Sequence, residues 1–196
     1  MPEIGNLIHS TQAKTMLEIY SRVLDLIERA EQPYQRIFDL GCWAGCLSMT
    51  IATRFKNAHV IGIDQAGPML LELQRRNRAS KNLEFRCLNI EEAQIECHAD
   101  LLVSVFGMDL CPSEIGKSTR SFIGEFGTLV LADWNIDTNF TPSSSTKWDK
   151  PITEIIEEME KFGWQLCKKR SDFIDVTDDV GRYAAFLVFD SGDNRA

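Results

Sequence analysis

The stretch from Phe38 to Ser48, FDLGCWAGCLS, decides how this chain is read. It begins inside a short apolar run, Arg36-Ile37-Phe38-Asp39-Leu40, that Gly41 stops. Such a run bounded by glycine reads as a buried strand. It leads into CLSMTIATRFK, residues 46 to 56, which reads as a helix. Between the two, Gly41 and Gly45 let the backbone turn sharply and come close to a ligand. The free N–H groups that open the helix face the same point. Asp39 sets a carboxylate beside the turn. A plain strand-to-helix connection would use the same glycines for geometry alone. The spacing is not G-x-G-x-x-G, which argues against a cradle for the pyrophosphate of a dinucleotide. A carboxylate at this place suits a ligand with a positive group better than a polyphosphate.

Outward from this turn the chain alternates. Residues 11 to 30 carry Ala13, Met16, Leu17, Tyr20, Val23, Leu24 and Ile27 at helical spacing, and Gln32-Pro33 ends that helix. His59 to Ile63 is a second strand, ended by Asp64, and Pro68 suits the first turn of the helix MLLELQRRNRAS. Leu83 to Cys87 is a third strand, with a short helical turn over 91–95 after it. Asp100 to Phe106 is a fourth strand, Ser113 to Glu125 a helix, and Gly127 to Ala132 a fifth strand. Residues 135–150 read as loop, and Pro151 opens the helix ITEIIEEMEKF, which stops at Gly163. Trp164 to Phe173 and Tyr183 to Phe189 are the last two strands. Alternation of apolar strands with helices implies a parallel sheet covered on both faces. The link Ile174 to Arg182 is too short for a helical crossover, so the last two strands should pair antiparallel.

Composition narrows the function. The 196 residues hold 21 lysines and arginines against 29 aspartates and glutamates, a net charge of −8. Gripping a phosphate backbone needs clustered cations, and the basic stretches here, Arg75 to Lys81 and Lys168 to Arg170, are short. No apolar run reaches the ~18 residues of a membrane span. Met1 to Ser10 lacks the pattern of a signal peptide, so the expected location is cytoplasmic. The six cysteines form no CxxC pair, which makes a metal site improbable. All six are expected to be free, small and buried.

In open sheets of this kind ligands bind beyond the C-terminal ends of the strands. After the second strand stands Asp64, nineteen positions beyond Gly45, whose carboxylate can accept from both hydroxyls of a ribose. The alternative is a surface aspartate opening a turn. After the third strand, Asn89 can pair with the edge of an adenine while Ile90 covers its face. The alternative is a turn asparagine.

Taken in order, FDLGCWAGCLS, VIGID, RCLNIEE, ADLLVSVFG and GTLVLAD resemble the successive motifs of the class I S-adenosylmethionine-dependent methyltransferases. The resemblance covers residues 36–133 and extends through the closing helix and strand pair to about residue 189. It implies an α/β, Rossmann-like three-layer sandwich. Its seven-stranded, mostly parallel sheet would be ordered 3-2-1-4-5-7-6, with the last strand antiparallel. It implies one domain over 1–196, with a helical cap at 1–30, a cofactor-binding core at 36–133 and a C-terminal helix and strand pair at 151–189. It also implies S-adenosylmethionine as cofactor. Asp39, Gly41 and Gly45, with Cys42 and Trp43 in the same turn, would surround its methionine part. Asp64, with Gln65 and Met69 beside it, would hold the ribose, and Asn89 with Ile90 the adenine. Val105 and Phe106 would face the sulfonium and the acceptor. The family often has glycine where this chain has Trp43. An indole pointing inward would block or reshape the site; one pointing outward would wall it.

Methyl transfer from a sulfonium is an in-line displacement, so alignment and exclusion of water matter more than a catalytic side chain. A base is needed only where the acceptor must lose a proton early. Asp133 at the end of the fifth strand is the first candidate to orient or deprotonate an acceptor. Asp109 and Cys111 after the fourth strand and Trp134 after the fifth are further candidates, and Tyr20 and His9 could approach from above. His59 and His98 belong to the opposite edge. The exit SVFGMDL lacks the Asn/Asp-Pro-Pro-aromatic signature of adenine or glutamine amino methylation. The expected function is therefore methyl transfer to a small molecule, without metal, nucleic acid or membrane. Non-methylating cofactor chemistry of a cyclase or lyase type, or a non-catalytic partner subunit, are the alternatives. The roof over the acceptor, with Met108, Phe140 and Trp148 as candidates, is short. That predicts either a homodimer that completes it or an opening for a bulky or carrier-held acceptor.

Overall fold

The computed structural model describes residues 11–30, 33–90, 97–105, 112–134, 152–174 and 182–191. The elements are α1 (Thr11–Arg29), β1 (Arg36–Leu40), α2 (Cys46–Arg54), β2 (His59–Asp64), α3 (Gly67–Arg76) and β3 (Leu83–Cys87). They continue as β4 (Ala99–Val105), α4 (Pro112–Phe122), β5 (Ile123–Trp134), α5 (Ile152–Lys161), β6 (Gln165–Ile174) and β7 (Arg182–Asp190). The seven strands form one sheet in the order β3-β2-β1-β4-β5-β7-β6. The first five pair parallel, and β7 runs antiparallel to both β5 and β6. The C-terminal ends of β1 to β5 therefore lie along one edge.

The strands sort their side chains by alternation. On one face Ile37, Val60, Leu101, Val103 and Val130 pack under Ile19, Val23 and Ile27 of α1 and Leu47 and Ile51 of α2. On the other, Phe38, Leu40, Ile61, Leu102 and Leu129 pack against Phe122 and against Ile152, Ile155 and Met159 of α5. Phe85, Leu70 and Cys42 make a smaller cluster beneath α3. Near-continuous apolar strands are what a sheet covered on both faces requires. Arg22 bonds Glu18 at 2.7 Å and Asp172 of β6 at 2.8 Å, tying α1 to the far edge of the sheet.

Chain stops follow local chemistry. Gly163 ends α5 at φ 82°, and the Trp164 N–H reaches back to the Met159 carbonyl at 3.3 Å. That is the left-handed cap for which glycine is suited. Two expectations shift. The fourth helix ends at Phe122 and β5 begins at Ile123, four residues before the expected Gly127, because Ile123 pairs with Ala99 across a register irregularity. The cysteines are not uniformly buried: Cys42 is buried and Cys97 half-buried, while Cys46, Cys87 and Cys167 are exposed. Cys46 opens a helix, and Cys87 and Cys167 lie on the two edge strands, where one face or end meets water. Among the described residues no group of histidine, cysteine and acidic side chains has the makings of a metal site. Among them, too, no helix is long and apolar enough to cross a membrane. The turn expected at 91–95 and the loop at 135–150 lie outside the described residues.

Candidate active site

Strand register brings the site together. Val103, Asp39, Gly62 and Phe85 stand side by side across β4, β1, β2 and β3. Asp39 is buried at 2% exposure. Its Oδ2 accepts the Ser48 hydroxyl at 2.5 Å, and the Ser48 backbone N–H also donates to the carboxylate. Asp39 thus caps the first turn of α2 from a neighbouring strand, at a place where negative charge is favoured. Gly62 leaves the space this needs. A Cβ there would lie 2.8 Å from Ser48 Oγ and 2.7 Å from the Phe85 ring. Burial is the larger effect on Asp39 and raises its pKa to about 6, with Asp64 adding to the rise and Ser48 opposing it.

The glycine turn is held from β2. The N–H groups of Gly41 and Cys42 both donate to the Ile63 carbonyl, at 2.8 and 3.0 Å. Gly41 and Gly45 take φ of 72° and 71°. At Gly45 a Cβ would meet the Phe85 ring at 2.7 Å. Asp64 is tied by both oxygens: Oδ2 accepts the Trp43 N–H at 2.8 Å and Oδ1 the Ala66 N–H at 2.9 Å. Each oxygen keeps a lone pair for a further donor, so a fixed carboxylate is left able to accept two hydroxyls.

Trp43 resolves a choice left open by the sequence. Its φ is 42°, and it is the one non-glycine residue with positive φ among those described. The indole is 62% exposed and so points outward rather than filling the turn. Tyr20 reaches the same turn from α1. Burial raises its phenol well above the usual value, and Asp39, Cys46 and Cys42 raise it further. Burial likewise raises the Cys42 thiol. Farther along the edge, Gln65 is exposed and Met69 half-buried in the first turn of α3. The Leu88 N–H donates to the Asp64 carbonyl at 3.0 Å, which sets exposed Asn89 and half-buried Ile90 next to the tip of β2. Val105 ends β4 and pairs with Ala132 of β5, so Asp133 lies one residue beyond it, opposite Ala185 of β7. Phe106, Met108, Asp109, Cys111, Phe140, Trp148 and His9 lie outside the described residues.

A methyltransferase-domain family model matches residues 37–123. The ubiquinone biosynthesis O-methyltransferase of Hahella chejuensis is 36% identical over 82% of this chain and 76% of its own length. The chain belongs to the class I S-adenosylmethionine-dependent methyltransferases. The malonyl-[acyl-carrier protein] O-methyltransferase of Acetivibrio thermocellus is 31% identical over 49% of this methyltransferase-family chain, which spans only 34% of that relative. The N-methyltransferase NodS from Bradyrhizobium japonicum, solved with S-adenosyl-L-homocysteine, superposes with a TM-score of 0.71 at 13% identity. That match covers 96% of this chain and 91% of NodS, and shows a shared fold.

The family cofactor fits the residues present. The turn holds Gly41 and Gly45 at positive φ, with Gly45 packed directly against the Phe85 ring, and it lies between the Asp39 carboxyl, buried near the end of β1, and the Asp64 carboxylate, fixed by backbone N–H groups at the tip of β2. Ser48 and Gly62 were not singled out from the sequence. The available signal was a hydroxyl among the apolar inner positions of a helix, nine residues after the strand aspartate.

Proposed function

We propose that this methyltransferase-family chain moves the methyl group of S-adenosylmethionine to an oxygen of a small or carrier-held acceptor. The observation that carries the reading is the joint placement of buried Asp39 and backbone-fixed Asp64 at adjacent strand tips, with the glycine turn between them. In this reading Asp39 faces the cationic amino-acid end, and Gly41, Cys42 and Gly45 give it a close backbone surface. Asp64 accepts from the ribose hydroxyls, with Gln65 and Met69 beside it. Asn89 meets the adenine edge and Ile90 its face. Val105, and Phe106 after it, line the sulfonium side.

The bound cofactor supplies an activated methyl, so the chain's share of the work is to align it and keep water away. Tyr20, held neutral by burial, serves as a hydrogen-bond donor over the turn rather than as a base. Asp133 at the end of β5, or Asp109 in the segment after β4, orients or deprotonates the acceptor hydroxyl. The outward indole of Trp43 walls the mouth of the site. The choice of oxygen is supported by the two relatives, both O-methyltransferases. A carrier-held acceptor is supported by the relative that acts on malonyl-[acyl-carrier protein].

The test is product analysis. The protein is incubated with S-adenosylmethionine and with phenolic and carboxylic acceptors, free and carrier-bound. S-adenosylhomocysteine should appear together with an acceptor heavier by one methyl. Cofactor consumption that yields no S-adenosylhomocysteine would point to non-methylating chemistry instead.

A further inference from the structure

Asp39 is a buried carboxyl with no cationic partner among the described residues. The described groups around it come from several elements. They are the Tyr20 phenol of α1, the Cys42 thiol of the turn, the Cys46 thiol and Ser48 hydroxyl of α2, and the Asp64 carboxylate of β2. β4 presents Val103 alongside. None of these is a cation. A buried charge in such a setting is costly unless paired, and a carboxyl avoids the cost by keeping its proton. Among the described residues, the hydroxyl and N–H of Ser48 are what stabilises the ionised form. The missing counter-ion is then what a ligand must bring.

We propose that Ser48 is a positioning residue for Asp39, and that the ammonium end of the cofactor binds with expulsion of the Asp39 proton to solvent. The proposal rests on the cofactor reading above and adds its proton linkage. The step balances as carboxyl plus ammonium ligand giving a carboxylate–ammonium pair and one released proton. The serine directs the carboxylate toward the incoming cation and lowers the cost of ionising it. Gly62 is part of the device, since a side chain there would displace the Ser48 hydroxyl.

Calorimetric titration with S-adenosylhomocysteine in two buffers of different ionisation enthalpy counts the protons. With Asp39 raised to about 6, wild-type protein should release about half a proton per ligand at pH 6. Affinity should be about tenfold weaker at pH 5 than at pH 7. Asp39→Asn should bind more weakly and abolish the release. Ser48→Ala should move the pH break upward, so its loss relative to wild type is several-fold at pH 7 and shrinks by pH 8.5. A merely structural serine would give the same loss at every pH. Wild type that binds with flat affinity and no proton release overturns the proposal while the cofactor reading stands. Release that persists in Asp39→Asn also overturns it. Absence of binding at every pH from 5 to 8 overturns the cofactor reading itself.

Discussion

Replacing Gly45 with alanine attacks the turn at its tightest point, and the structure sets the size of the effect. The residue sits at φ 71°, where an L side chain costs about 1–2 kcal/mol. The new Cβ would stand 2.7 and 2.8 Å from two carbons of the Phe85 ring and 3.1 Å from Leu73 Cδ1. Phe85 is fully buried, so the ring has little room to retreat, and overpacking of this kind costs about 1–3 kcal/mol. The sum, about 2–5 kcal/mol, is a large share of the ~5–15 kcal/mol that stabilises a domain. Urea unfolding followed by circular dichroism would read it as a lower midpoint at unchanged slope. Phe85→Leu separates the two parts, because it shortens the ring that the methyl strikes. By itself it should cost about 1–2 kcal/mol. Combined with Gly45→Ala it should recover about 1–2 kcal/mol of coupling and leave the backbone strain in place. A loss below 1 kcal/mol for Gly45→Ala, or strict additivity in the pair, would refute this account of the turn.

Other perturbations follow from the same geometry. Trp43→Gly relieves a left-handed backbone worth about 1 kcal/mol, partly offset by the greater freedom of glycine in the unfolded chain. The variant should be as stable as wild type or slightly more so, and bind cofactor within a few-fold; a large affinity loss in titration would show that the exposed indole makes an essential contact. Asp39 has a folded pKa above its unfolded value, so the native state holds the extra proton between about pH 4 and pH 6. Stability from this group is present at low pH and lost as pH rises through 6. Asp39→Asn should therefore be more stable than wild type at pH 7 by ~1–3 kcal/mol, the difference vanishing near pH 4. A constant difference across that window would contradict the assignment. Arg22→Ala removes the tie between α1 and β6 and should cost about 1 kcal/mol. Hydrogen exchange should quicken in α1 ahead of the sheet; uniform quickening would place the loss elsewhere.

Much of the fold was legible because its strands are apolar runs with glycine or aspartate stops and its helices carry a clear stripe. The strand order was not readable from periodicity; it came from the family resemblance and agrees with the sheet observed. Asp39, Gly41 and Asp64 could be picked out because each falls at or beside a strand tip, and Gly45 because it closes the turn into the following helix. Ser48 and Gly62 could not, since their importance depends on register: Asp39 lies opposite Gly62, which lies opposite Phe85, and no local pattern states that. The outward turn of Trp43 was hidden for a similar reason, because a left-handed backbone at a non-glycine residue is imposed by the bond from its N–H to Asp64. The cysteines were misjudged because composition does not distinguish an edge strand from a central one.

The central claim is that an adenosyl cofactor lies across the tips of β1 and β2, held at its sugar by Asp64. Titration of S-adenosylhomocysteine into wild type and Asp64→Ala, each shown to be folded, tests it most directly. Loss of hydrogen bonds to a charged acceptor should weaken binding about ten- to a hundredfold. Equal affinity in the two proteins, or no binding to the wild type, would contradict it.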